Sequence, residues 1–372
     1  MKNEELFTSV EFGPTRLKHR VVMAPLTRSR SVQPGGIPGD LMLEYYSQRT
    51  SDDGLIISEA TQLSLASSGW HGAPGMYSDA QIDGWKKIVE VIHEKGGHIF
   101  AQLWHPGRFS HCDLTGGATP VSASVNPGYW QNPSRLISTS IGWIQPSPHR
   151  SLEQSEILGV VEDYYKAVER VKSAGFDGVE VHAGNGYLID QFLQDGSNKR
   201  TDEYGGSIEN RSRFLFEVVG AMVSAWSDDR VAVRVTPNGT FNAMSDSDPE
   251  ALHAHIANGL NRFGLAYLHI IEPRISGSVV ERDNEPPVAT QRLRKIFKGK
   301  IIANGGFEPD TAAATVAQGD ADAIAFGRYF VSNPDLPRRI REGFPLSVYD
   351  RDTFYTFDAK GYTDYPFYNG TL

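Results

Sequence analysis

The sequence predicts a closed, parallel (β/α)8 barrel, and three observations point to it. Short apolar runs alternate with helix-period stretches eight times between Val21 and the helix that begins near Asn333, with no break in composition. Nearly every apolar run ends in a hydrogen-bonding side chain or in glycines, as strand ends around one shared mouth would. The last two runs end in A-N-G-G-F and A-F-G-R-Y-F, which place glycines side by side after the seventh and eighth strands.

The elements follow in order. Residues 6–20 read as a hairpin, Leu6 to Phe12 and Leu17 to Arg20 about a turn at Gly13-Pro14. The first barrel strand is V-V-M-A-P-L at 21–26, and a helix is predicted from Asp40, its N-cap, to Arg49. Gly54 to Ala60 is the second strand. Ser78 opens the helix Ala80 to Lys95, closed by Gly96-Gly97, and His98 to His105 is the third strand. Helix and strand then alternate: 155–174 and 175–182, 209–226 and 230–236, 249–263 and 265–271, 288–297 and 300–305, 310–318 and 323–327. Such a barrel has no edge strands and routinely exceeds 250 residues, so 1–372 is expected to be a single domain. Two stretches fall outside the repeat. Residues 106–150, rich in Pro, Gly, Ser and Trp, are too long for a plain connection and are expected to form a lid or active-site wall. Residues 346–372 carry Tyr355, Tyr362, Tyr365, Phe367 and Tyr368 and are expected to pack back onto the body.

Composition narrows the function. A chain that is 40% hydrophobic and 22% charged has material for a large core. A net charge of −9 argues against a polyanion-binding surface, so no nucleic-acid partner is expected. The single cysteine, Cys112, permits neither an intrachain disulfide nor a cysteine-built metal site and fits a reducing compartment. MKNEELFTSV has no apolar leader, and no run of about 18 apolar residues exists, so a soluble cytoplasmic protein is expected.

Reading the strand ends gives the candidate site: Thr27, Ala60, Gln102 with Trp104 and His105, His182 with Asn185 and Tyr187, Arg234, His269, Asn304-Gly305-Gly306 and Gly327-Arg328. The densest stretch is Gly178 to Asp195. Alternation puts Glu180 and His182 on one face, and Gly184 and Gly186 let the chain turn so that His182, Asn185 and Tyr187 converge. Glu180, below His182, reads as a buried, paired structural carboxylate. Glycines after strands seven and eight free backbone N–H groups for an anion, and Arg328 adds a fork of donors, which together point to a phosphorylated ligand. The strand-end histidines lack an accompanying ligand set, so no metal is expected. There is no G-x-S-x-G elbow and no dinucleotide fingerprint; a nicotinamide would have to visit the open mouth.

M-A-P-L-T-R (23–28), G-L-I-I-S-E-A (54–60), A-Q-L-W-H-P-G-R (101–108), H-A-G-N-G-Y-L-I-D-Q-F-L (182–193), Y-G-G-S-I-E-N-R-S-R-F (204–214), A-F-G-R (325–328), N-P-D-L (333–336) and G-Y-T-D-Y-P (361–366) resemble the old yellow enzyme family of flavin-dependent ene-reductases along the whole chain. The likeness is to the branch with Thr at position 27, which includes N-ethylmaleimide, pentaerythritol tetranitrate and 12-oxophytodienoate reductases. It implies tightly bound, non-covalent FMN, with Pro25, Thr27, Ala60 and Gln102 on the ring and Arg234 near its N1–O2 edge. Asn304, Gly305, Gly327 and Arg328 would hold the phosphate. His182 and Asn185 would bind a substrate carbonyl, Tyr187 would donate the proton, and Trp70, Trp104 and Tyr355 would line the substrate pocket. The implied reaction uses NADPH, with NADH as a second donor, to reduce electron-poor alkenes: α,β-unsaturated aldehydes, ketones and maleimides, with nitro compounds and nitrate esters as further acceptors. Trp70 stands where many members have Tyr. Two other readings use the same anion site. A phosphosugar isomerase or aldolase would need a rim Lys or acid–base carboxylate, and no strand end supplies a Lys. A non-catalytic flavin-binding protein would have no need of Tyr187 as a proton donor.

Overall fold

The structure, a computed structural model, describes residues 3–277, 279–280 and 288–370. Met1 and Lys2, and the last two residues of the C-terminal segment, lie outside the described residues.

Eight strands form one parallel sheet: Val21–Met23 (β1), Leu55–Ile57 (β2), His98–Trp104 (β3), Gly178–His182 (β4), Val231–Val235 (β5), Tyr267–Ile271 (β6), Ile301–Asn304 (β7) and Ala323–Phe326 (β8). Each pairs with the next, and β8 pairs back onto β1, so the ring is closed. Most strands are shorter than their apolar runs. Pro25 has no N–H for a ladder, and after β2 the chain leaves the sheet at Glu59–Ala60 before Thr61–Gln62 pairs again, parallel to the end of β3. The helices on the outside are Asp40–Arg49 (α1), Asp79–Glu94 (α2), Gln154–Ser173 (α3), Ile208–Ala225 (α4), Pro249–Leu260 (α5), Val288–Arg294 (α6), Pro309–Ala317 (α7) and Leu336–Glu342 (α8). Ser78 caps α2 in a reciprocal capping box with Gln81, and Trp85, Ile88, Val89 and Ile92 make its buried stripe. Two short helices, Leu188–Leu193 after β4 and Arg328–Ser332 after β8, escape sequence reading because they are too short to show a period. No helix among the described residues is long and apolar enough to cross a membrane.

Period-two alternation sorts the strand side chains into two cores. Val22, Ile57, Phe100, Ala232, Tyr267, Ile302 and Ala323 fill the barrel interior. Val21, Met23, Ile56, Ile99, Val179, Val181 and Val233 pack under the helices. The hairpin Val10–Phe12 and Thr15–Leu17 plugs the bottom: Phe12 meets Tyr267 edge-on at 5.4 Å between ring centres. Both arms differ from the expectation: Glu4–Phe7 is a 3-10 turn, so the first arm begins only at Val10, and the tight turn at Gly13-Pro14 puts the second arm at Thr15–Leu17 rather than Leu17 to Arg20.

Both stretches outside the repeat have their own order. Within 106–150, Ile137–Thr139 and Gly142–Ile144 form an antiparallel hairpin, and Val121–Ser122 pairs with Arg150–Ser151. The hairpin sets Trp143 edge-on against Trp70, with ring centres 5.3 Å apart. The C-terminal segment is held by buried arginines. Arg28 donates to the carbonyls of Phe354 and Gly361, and Arg30 to those of Thr353 and Phe354. Arg49 donates to Phe330, Val331 and Tyr362 and stacks 3.7 Å over the Tyr45 ring. Each carbonyl orphaned in such a place costs about 1–3 kcal/mol. Arg49→Met is therefore expected to lower unfolding stability by about 3 kcal/mol or more, read from urea unfolding; a loss below about 1 kcal/mol would mean water replaces the guanidinium.

Candidate active site at the mouth of the barrel

A cavity of about 590 Å³ opens at the C-terminal ends of the strands. Pro25, Thr27, Ala60, Trp70, Gln102 and Trp104 line it, and so do His182, Asn185, Tyr187, Arg234 and Tyr355. Asn304, Gly305, Gly327 and Arg328 close its far end. Every residue the sequence reading assigned to cofactor or substrate thus faces one space.

Beneath it lies Glu180, completely buried. The ladder sets Glu180 opposite Gln102 on β3 and Ala232 on β5, and sets His182 opposite Arg234, itself opposite His269. Glu180 Oε1 accepts from Gln102 Nε2 at 2.7 Å, and Oε2 meets His269 Nδ1 at 2.8 Å. Burial alone would push this carboxyl up. The hydrogen bonds from His269 and Gln102 and the positive charge of Arg234 outweigh it and hold the carboxyl below its usual value. An ionised carboxylate only accepts. It therefore fixes the Gln102 amide with its carbonyl end turned away from Glu180, and fixes the His269 proton on Nδ1.

Three groups converge after β4. Asn185, at φ 55°, makes the left-handed turn; its N–H donates to Thr236 Oγ1, whose hydroxyl donates back to Asn185 Oδ1. That assigns the Nδ2 end of Asn185 to His182, whose Nε2 lies 3.5 Å away. Burial, with the charge of Arg234 next to it, lowers the His182 pKa well below its usual value, so the ring is neutral. The Tyr187 ring stands 5.1 Å from His182 and 5.0 Å from Trp104, both edge-on, and burial pushes its phenol above the usual range. The turn itself is pinned by Asp190, which accepts from Gly186 N–H, and by Gln191, which donates to the Pro106 and Gly186 carbonyls.

At the other end, Gly305 and Gly306 have φ of 107° and 67°, a region that favours glycine. Among the described residues, the N–H groups of Gly305, Gly306 and Gly327 have no partner. The side chain of Asn304 is engaged otherwise: its Oδ1 accepts from Arg234 Nη2 and its Nδ2 donates to the Ala325 carbonyl. The guanidinium of Arg328 lies 5.5 Å over the Tyr349 ring.

Aromatic rings form the remaining wall. Trp70 stacks on Phe109 at 5.6 Å and tilts onto Tyr355 at 5.0 Å. The Nε1 atoms of Trp70 and Trp104 are buried without a partner among the described residues. Gly306, read with Gly305 as a strand end, lines the cavity as expected. Sequence reading missed Thr236, which holds Asn185, and the lining residues Phe241, Phe307 and Tyr349, because nothing in the local pattern marks them. His105 and His269 do not line the cavity. His105 Nδ1 accepts from Gly107 N–H, and burial drops its pKa to about 3. Among the described residues, one trio has ligand atoms close enough for a metal: His111, Cys112 and Asp113, all outside the cavity lining.

Comparison with known proteins agrees with this geometry. Residues 5–347 match the NADH:flavin oxidoreductase / NADH oxidase family. The chain is 43% identical to 12-oxophytodienoate reductase 7 of Oryza sativa subsp. japonica, over 98% of this chain and 95% of that one. A structure of morphinone reductase in complex with tetrahydroNAD superposes with a TM-score of 0.90 at 45% identity, covering 98% of both chains. The old yellow enzyme homologue from Zymomonas mobilis gives a TM-score of 0.91 at 42% identity, covering 97% of this chain and 99% of the other. The chain belongs to the NADH:flavin oxidoreductase / NADH oxidase family and, within it, to the old yellow enzymes, FMN-dependent oxidoreductases that reduce activated alkenes with NAD(P)H.

Proposed function

We propose that the barrel mouth holds FMN with its phosphate at the Gly305–Gly306 and Gly327–Arg328 end, and that Tyr187 is the proton donor in reduction of α,β-unsaturated carbonyl compounds. The observation that supports this most is the pairing within one cavity of an anion cradle, with unpartnered N–H groups and Arg328, and a neutral donor cluster at the other end. The residues present fit the cofactor. The positive φ of Gly305 and Gly306 opens the cradle, and a Cβ on Gly327 would meet Leu26 at 3.2 Å. Pro25 and Ala60 offer apolar surface for a flat ring, Thr27 and Gln102 offer hydrogen-bonding groups, and Arg234 offers a cation beside them. When bound, FMN supplies the electron pair that is taken from the nicotinamide and given to the alkene.

The chain's own residues do the rest. His182 and Asn185, 3.5 Å apart, are too distant for a strong mutual bond but well spaced to share one carbonyl oxygen at about 2.9 Å from each. Two such donors stabilise the negative charge that grows on that oxygen as the β-carbon is reduced. Thr236 keeps the Asn185 amide in the donating orientation. Tyr187, kept protonated by burial, delivers a proton to the α-carbon. Trp70, Trp104 and Tyr355 limit the shape of the acceptor, and Trp70 fills space that a Tyr would leave to a hydroxyl. Relatives named as reductases of 12-oxophytodienoate and morphinone support an unsaturated carbonyl substrate. We take maleimides as further acceptors, and nitro compounds and nitrate esters after them. NADPH is taken as the preferred donor and NADH as the second, the latter because a similar structure holds tetrahydroNAD. The chain is taken to work as one domain, in the cytoplasm.

Tyr187→Phe tests the assignment. Reduction of the bound flavin by NADPH should keep its rate, while reoxidation by an enone should slow by about 10²–10⁴-fold. Reoxidation by a quinone, whose oxygens take protons from water, should be spared; stopped-flow traces showing equal slowing with both acceptors would refute the proton-donor role. Separately, Arg328→Ala should release FMN from the protein more readily, by about tenfold or more, and leave riboflavin retention unchanged. Unaltered FMN retention on dialysis would remove the phosphate from that end of the cavity.

A further inference from the structure

Arg274 follows β6 in the loop E-P-R-I-S-G, at no position where barrel logic seeks a ligand, and it does not line the cavity. It is only 5% exposed. Its Nε donates to the Gly305 carbonyl at 2.7 Å, and its guanidinium lies 4.5 Å over the ring of Phe307, which does line the cavity. The stacking leaves the guanidinium little freedom, so the bond to Gly305 is set from both ends.

From this contact we infer that Arg274 is a positioning residue for the anion cradle. In a trans peptide the carbonyl and the next N–H point in opposite directions. The Gly305 carbonyl faces Arg274, behind the wall. The Gly306 N–H of the same peptide therefore faces away from Arg274, toward the cavity that both glycines line. A glycine pair at φ 107° and 67° has little preference of its own for one orientation of this peptide, and Arg274 supplies it. The bond does a second thing. Donation by a cation to the carbonyl polarises the peptide and strengthens its N–H as a donor. A methyl group on Gly306 would sit 3.1 Å from Arg274 Nε, so the close approach of the two depends on glycine there as well. The inference rests on the phosphate lying at this end of the mouth.

The effect should be selective for phosphate. Release of flavin from the holoprotein is followed by fluorescence on dilution, for protein carrying FMN and for the same protein exchanged into riboflavin. Arg274→Met should release FMN about tenfold more readily and riboflavin unchanged, because only FMN has a group at the cradle. Arg274→Lys, whose ammonium still donates to the Gly305 carbonyl, should recover most of the loss. Should the Met variant fail to fold, Arg274→Gln takes its place in the same comparison. Equal loss of both flavins, no loss of either, or a Lys variant no better than the Met variant overturns the role. Arg328→Ala runs beside them as the control: if it too keeps FMN, the phosphate placement has failed rather than the part played by Arg274.

Discussion

One buried negative charge orders the floor of this site. Glu180 is cut off from solvent, so the groups around it must supply hydrogen-bond donors or positive charge, and two of those neighbours, Gln102 and Arg234, also line the cavity. Gln102 gives its amide N–H and so turns its carbonyl elsewhere; His269 gives Nδ1–H; Arg234 gives charge. Arg234 in turn is tied to Asn304 on β7, which is tied to Ala325 on β8. Hydrogen bonds and charge thus link β3, β4, β5, β7 and β8 just under the mouth, with His269 on β6 as a branch from Glu180. The cost of an unpaired carboxylate at that depth is several kcal/mol, enough to make each of these orientations the one that folds.

The same arginine helps to keep the donor cluster neutral. Burial disfavours an imidazolium at His182, and the charge of nearby Arg234 adds to it. A neutral ring between two fixed neighbours is a directional donor rather than a diffuse cation, which suits a carbonyl better than a carboxylate. The arginines that clamp the C-terminal segment are of the other kind. Arg28, Arg30 and Arg49 meet mainly backbone carbonyls, with Glu59 as the nearby acid, and burial lifts Glu59 to about 7 despite them. Their function is attachment, and what they attach carries Phe354 and Tyr355 to the edge of the cavity.

The strand ends were legible because two simple periods coincide there. Alternation tells which side chains face inward, and in a closed barrel all inward strand ends meet, so Gln102, His182 and Arg234 could be placed together without knowing one contact. The glycines after β7 and β8 were legible because their backbone freedom is a property of the residue. Second-layer relations were not. That Thr236 sets Asn185, that Arg274 sets Gly305 and that Trp143 reaches Trp70 all depend on loop paths between elements distant in sequence. The Asn304 amide is a middle case: its place at the cavity was readable, its engagement by Arg234 and Ala325 was not, because that follows from the register of β5 to β8. The short helices after β4 and β8 were hidden by their length, and Glu180 showed its structural role through parity alone.

The most direct measurement is the visible absorption of the purified protein through one anaerobic cycle. A flavin spectrum should be present, equimolar FMN should be recovered on denaturation, NADPH should bleach the spectrum, and an enone added afterwards should restore it. A chain that is colourless and takes up no FMN, or a bound flavin that nicotinamide reduces but no activated alkene reoxidises, would contradict the account.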